Sequence, residues 1–136
     1  MDESASKKFL EQTLKRLEMA RAQLGAEIQV TDGQIFILLP SVRFNRQFML
    51  KATPDGSYPE NPADYCFVNP KTKCDEGITH WPNNGGQAFK LENPPWICME
   101  GTIAWIKHGH PNPGLQKNLI ENVVFSIFAK LNKKTN

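Results

Sequence analysis

Between Pro54 and Pro95 the chain is closed to helix. Pro54, Pro59, Pro62 and Pro70 follow one another too closely, since each ring fixes φ and removes a backbone donor. The same prolines confine the short apolar run from Tyr65 to Val68 to an edge strand or a brief stretch of one. The segment from Thr72 to Pro95 holds Gly77, Asn83, Asn84, Gly85 and Gly86 and reads as a long loop with little regular structure. Irregular segments of this length in compact domains are often functional.

Helical and strand patterning falls on either side. From Ser6 to Gly25, Phe9, Leu10, Leu14, Leu17 and Leu24 recur near one stripe, which predicts a helix with Ser4 or Ser6 as cap and Gly25 as its left-handed end. Ile28 and Val30 precede Thr31-Asp32-Gly33, whose Asp-Gly pair suits a tight hairpin turn. Ile35 to Leu39 and Phe44 to Ala52 follow as strands, with Phe44, Phe48 and Leu50 on one parity, so an antiparallel meander follows the helix. Regular structure is expected to resume only near the end. There Asn112-Pro113 offers a cap and a first-turn proline, and Leu115, Leu119, Ile120, Val123, Val124, Ile127, Phe128 and Leu131 form a helical stripe to pack on the sheet. The expected fold is α+β: N-terminal helix, four-stranded meander, long active-site loop, C-terminal helix.

The whole of 1–136 fits a single domain, since division would leave two marginal cores. With 40% hydrophobic and 22% charged residues, the composition is that of a soluble globular chain. The basic residues are dispersed, and the cluster Lys130, Lys133 and Lys134 ends a helix, where cations favour the macrodipole; no nucleic-acid partner is expected. No apolar run exceeds Ile35 to Leu39 and the opening Met1-Asp2-Glu3-Ser4 lacks the form of a secretory signal, so neither a membrane nor export is expected. Three cysteines, an odd number in a chain able to build its own core, predict free thiols and a cytoplasmic location.

Cys98 is the candidate nucleophile. It lies in Pro94-Pro95-Trp96-Ile97-Cys98-Met99-Glu100-Gly101, an extended loop stiffened by two prolines and a tryptophan. Against this stands the habit of free cysteine to pack as a small buried hydrophobe. Cys66 alternates with apolar neighbours as a core strand residue does, and Cys74 reads as exposed and incidental. His108 and His110 follow in Lys107-His108-Gly109-His110-Pro111-Asn112. With Cys98 they make a zinc site conceivable, but no C-x-x-C pair or regular ligand spacing supports one, and neither metal nor cofactor is expected.

The arrangement around Cys98 resembles the ubiquitin-conjugating enzyme superfamily. Pro54-Asp55-Gly56-Ser57-Tyr58-Pro59-Glu60-Asn61-Pro62 looks like that family's P-x-x-YP-x-x-P segment. His80-Trp81-Pro82-Asn83 is similar to its His-Pro-Asn motif, and Trp96-Ile97-Cys98-Met99-Glu100 to its G-x-I-C-L-D. The order of elements also matches, so the resemblance covers most of the chain. The long His80–Cys98 interval and the single convincing helix after the cysteine resemble compact, divergent bacterial members encoded beside an activating enzyme and a ubiquitin-like protein. The resemblance implies a bacterial modifier-conjugation system, some of which act against phage. It also implies three partners: an ATP-dependent activating enzyme, a ubiquitin-like modifier and a target protein.

It further implies site roles. Cys98 would hold the modifier as a thioester, with His80, Tyr58 and Pro59 bracing the site. The N-terminal helix would dock the activating enzyme through Lys7, Lys8, Lys15 and Arg16, which lie off its apolar stripe. Only a thiolate attacks another thioester well, though exchange between similar thioesters is nearly balanced and needs no unusually acidic thiol. Asn83, or a backbone amide near Cys98, would donate to the carbonyl oxygen as charge builds there, and removing one such donor typically costs about 3 kcal/mol of barrier. Glu100, His108 or His110 would orient or deprotonate the attacking amine. Two other classes remain: a silent scaffold of the same fold, and a thiol hydrolase with Cys98 paired to a histidine.

Overall fold

The computed structural model describes residues 1–83 and 88–133, so Asn84, Gly85, Gly86 and Lys134 lie outside the described residues. Helix α1 spans Glu3–Leu24. It begins earlier than the apolar stripe indicates, because Asp2 rather than Ser4 or Ser6 is the cap: its Oδ1 accepts from Ala5 N–H at 2.8 Å. Such a cap is worth about 1 kcal/mol. Ser6 is instead buried inside the helix. Gly25 ends α1 at φ 63°, as expected of a left-handed cap.

Four strands follow: β1 (Glu27–Thr31), β2 (Gln34–Ser41), β3 (Arg46–Thr53) and β4 (Asp64–Val68). They form one antiparallel sheet in chain order, so the proline-flanked β4 lies at an edge, as its sequence requires. Asp32 and Gly33, at φ 50° and 75°, close the first hairpin between Thr31 and Gln34. Both central residues are left-handed, as the tight hairpin turn demands. Strand β3 starts at Arg46, two residues later than the apolar pattern predicts; Phe44 lies in the preceding turn and meets Phe48 edge-on at 5.8 Å.

Register sorts the sheet into two faces. Ile37, Leu50 and Phe67 stand side by side on the face that packs beneath the helices. Leu38, Met49 and Val68 stand side by side on the other, where a smaller cluster includes Phe36 and half-buried Cys66. Burial pushes the Cys66 thiol up to about 11, which makes it inert near neutrality.

Beyond the sheet, more regular structure forms than the sequence announces. A short hairpin pairs β5 (Phe89–Lys90) with β6 (Trp96–Ile97), and α2 (Ile103–Lys107) follows. The expected single C-terminal helix is two, α3 (Leu115–Asn118) and α4 (Ile120–Asn132), divided at Leu119, whose ψ of 129° is extended. Asn112 does not cap either one. Its Nδ2 donates to Glu60 O at 2.9 Å, and its Oδ1 accepts from Gly114 N–H at 3.0 Å. Leu115 is exposed rather than packed, whereas Ile120, Val123, Val124, Ile127 and Leu131 are buried against the core. No helix among the described residues is long and apolar enough to cross a membrane.

A buried polar chain joins α1, the proline bend and α4. Ile120 N–H donates to Tyr58 Oη at 2.8 Å, Tyr58 Oη contacts Thr13 Oγ1 at 2.6 Å, and Thr13 Oγ1 donates to Glu121 Oε1 at 2.7 Å. Since the threonine's one proton is committed to the carboxylate, the tyrosine must be the donor to it. Burial, the largest influence, pushes the phenol up to about 12 and so keeps that proton on. Arg16 closes the chain, with one guanidinium nitrogen 3.0 Å from Glu121 Oε2.

Candidate active site around Cys98

Alternation carries Cys98 to the surface. Ile97 and Met99 on either side are buried, while Cys98 is half-buried. The backbone is fixed before and after it. Cys98 N–H donates to Ala88 O at 2.8 Å and Ile103 N–H to Ala63 O at 3.1 Å. Between these, Thr102 Oγ1 donates to Met99 O at 2.9 Å and accepts from Trp105 N–H at 3.2 Å, so one hydroxyl closes the turn and caps α2. Gly101, at φ 97°, lies directly on the backbone of α3: a Cβ there would stand 2.2 Å from Lys117 O.

The sulfur borders an open cleft of about 530 Å³ with Lys90, Trp96, Glu100, Trp105, His108, His110 and Lys130 among its lining residues. Two indole–imidazole stacks form its rim. Trp96 lies on His108 at 3.6 Å between centroids, and Trp105 on His110 at 3.7 Å, each pair 13° from parallel. His108 Nδ1 lies 2.6 Å from Ala104 O, a partner that only accepts, so Nδ1 carries a proton and Nε2 is the nitrogen able to take one up. Trp96 is held by its own Nε1–H, which donates to Glu92 Oε2 at 2.5 Å.

Opposing influences set the thiol. Burial raises the Cys98 pKa above its ordinary 9.0, and the Lys90 ammonium partly offsets this by favouring the thiolate. The thiol is therefore protonated near neutrality, and its alkylation by iodoacetamide is expected to quicken about tenfold per pH unit up to and beyond pH 9. Removing the cation in Lys90→Met raises the pKa further. The variant should react a few-fold more slowly than the parent near pH 7, with the two rates converging at high pH. Equal rates throughout would show that Lys90 exerts no field on the sulfur.

Of the residues singled out in the sequence, Cys98, Glu100, His108 and His110 meet at this cleft. Glu100 is ion-paired to Lys117 Nζ at 3.0 Å, so its carboxylate serves the loop before any amine. Asn83 is exposed and borders a different cleft beside Phe44, Arg46 and Trp81; it is not among the residues lining that of Cys98. His80 Nε2 pairs with Glu76 Oε1 at 2.8 Å, a local brace. Tyr58 lies in the buried chain with Thr13 and Ile120 and does not line the cleft, and Pro59 O accepts from Asn118 Nδ2 at 2.9 Å. Lys7, Lys8, Lys15 and Arg16 are all exposed on α1, and Arg16 also pairs with Glu121. The sequence does not mark Lys90 or Trp105 as site residues, and it offers Lys130 only as a cation at a helix end. Lys90 was recoverable from the hairpin that pairs it with Trp96, but no local motif marks the other two.

Among the described residues no imidazole nitrogen is hydrogen-bonded to Sγ, although His108 and His110 line the same cleft. Nor do three His, Cys, Asp or Glu side chains among them converge to hold a metal ion. Compared with family models, curated proteins and solved structures, the chain finds no match.

Proposed function

We propose that this chain is an acyl carrier of the ubiquitin-conjugating type, which accepts the C-terminus of a ubiquitin-like modifier on Cys98 and passes it to an amine. One observation carries the reading: the sulfur is half-buried at the rim of an open cleft, with its backbone pinned and no imidazole bonded to it. A thiol so placed can be reached by a partner's thioester.

In the loading step the Cys98 thiolate attacks the carbonyl of the modifier–activating-enzyme thioester. A new S–C bond forms, the old one breaks, and the activating enzyme's thiolate leaves. In the discharge step an amine attacks the Cys98 thioester, an N–C bond forms and the Cys98 thiolate departs. His108 Nε2 is the best-placed group to take the amine's proton, because its tautomer is fixed by Ala104 O and its ring is held by Trp96. The oxyanion role expected of Asn83 passes to backbone amides of the turn after Cys98, since Asn83 borders another cleft. The exposed Lys7, Lys8, Lys15 and Arg16 of α1 supply the docking face for the activating enzyme. The organisation of α1, antiparallel sheet and C-terminal helix is compatible with the ubiquitin-conjugating fold, which is part of the proposal. So is a role in a bacterial conjugation system directed against phage.

The test is a non-reducing gel after the chain is mixed with an activating enzyme, ATP and a small modifier. An ATP-dependent adduct that disappears on adding thiol, and that peptide mapping puts on Cys98, is the expected result. An adduct on Cys66 or Cys74, or release of product without ATP, overturns the proposal.

A further inference from the structure

The Cys98 cleft has two ways out, and they differ in charge. One leads into a second cleft of about 450 Å³ that shares Met99, Glu100 and Lys130 with the first and continues past Ser126 and Ala129 to Lys133. Ser126, Ala129 and Lys130, spaced three and four apart, share one face of α4, turned away from buried Val123, Ile127 and Leu131, and Lys133 follows just past the helix end. This groove is cationic. Lys130 and Lys133 are exposed along it, Lys90 stands at its Cys98 end, and the acid between them, Glu100, is already neutralised by Lys117 at 3.0 Å.

The other way out passes Trp96 and His108 into a cleft lined by Asp64 and Glu92 as well as Lys107. An anionic chain leaving the sulfur is disfavoured there and favoured along α4. We propose that the groove along α4 seats an acidic polypeptide tail whose C-terminal carbonyl is bonded to Cys98. The inference rests on the thioester reading of Cys98 and adds to it the path of the carried tail and the charge that path selects. It also gives Lys130 and Lys133 a task beyond completing the helix macrodipole. Their interaction with a multiply charged tail is long-ranged at low salt and screened within about 10 Å at 0.1 M.

The probes are two short peptide thioesters of equal length with the same Ala-Gly end, one rich in Asp and Glu, the other in Lys and Arg. Each acylates by exchange: the Cys98 thiolate displaces the small leaving thiolate, and intact mass spectrometry follows the acyl-protein. The acidic peptide is expected to load about five- to tenfold faster at low salt, with the ratio falling toward one as salt rises. The double variant Lys130→Glu, Lys133→Glu should abolish or invert the ratio, and because a ratio is compared, any change in the thiol itself cancels. Equal loading of both peptides by the parent, or an unaltered ratio in the variant, overturns the inference while leaving Cys98 an acyl acceptor. Loading by neither peptide, with iodoacetamide still modifying Cys98, sinks the acyl-carrier reading and this one with it.

Discussion

Gly101→Ala is expected to destabilise the protein by at least about 3 kcal/mol, more than most single substitutions. Two independent costs combine. An L-residue at φ 97° is strained by roughly 1–2 kcal/mol. In addition, the new Cβ would stand 2.2 Å from Lys117 O and 2.7 Å from Val123 Cγ2, so α3 or the loop must move. A carbonyl fixed in a helix cannot give way as a side-chain tip can. Gly109 separates the two costs, because its φ is 95° and nothing lies within 4 Å of where its Cβ would be. Gly109→Ala therefore carries the conformational cost alone. In urea denaturation Gly101→Ala should lower the midpoint by about 1–3 M relative to the parent, with Gly109→Ala losing a fraction of that. Similar losses in both variants would mean that the cysteine loop does not lie against the backbone of α3.

Cys98→Ser is expected to reduce loading by at least about a thousandfold without harm to the fold. The hydroxyl ionises far above neutrality and is a much poorer nucleophile toward a thioester, so exchange loses its driving species. Stability should stay within about 0.5 kcal/mol of the parent, since the side chain is half-buried and packs at a cleft rim. Any adduct that does form is an oxygen ester and should persist on treatment with thiol, unlike the parent's. The pair of readouts, adduct yield and thiol lability, must change together. Undiminished, thiol-labile loading of Cys98→Ser would move the chemistry to another sulfur.

Much of the frame was legible because it is set by local rules. The left-handed Gly25, the Asp32-Gly33 turn and the proline flanks of β4 each declare a boundary through backbone sterics, which act without tertiary help. The break at Leu119 was not legible. The apolar stripe runs through it unbroken, but Asn118 is buried, and its Nδ2 donates to Pro59 O and to Asn112 Oδ1, both at 2.9 Å. Those partners, Pro59 from far along the chain and Asn112 from the preceding loop, fix the turn, and a stripe carries no record of them. Asn112 is the same case: its capping preference gave way to Glu60 O, a residue from the proline bend. Helix α2 was missed because five residues are too few for periodicity, and its signal reduces to Thr102 as cap.

The site divides along similar lines. The stiff flanks of Cys98 and the two histidines shortly after it were within reach of the sequence, but the exposure of its sulfur was not, since free cysteine usually packs inside. Asn83 was judged by order along the chain, which does not say on which side of the long loop a residue emerges. Lys130 comes from the far end of the molecule and reaches the cleft only because α4 packs across the sheet.

The two indoles at the rim give the molecule an optical property. Of three tryptophans, Trp81 is buried in the core, so the emission that responds to solvent comes from Trp96 and Trp105, each in van der Waals contact with an imidazole. Imidazole quenches indole fluorescence, and more strongly once protonated, so the stacks are expected to keep both indoles dim. Whatever pries an imidazole from its indole brightens the protein, and occupancy beside the sulfur can thus be followed in real time with no label attached.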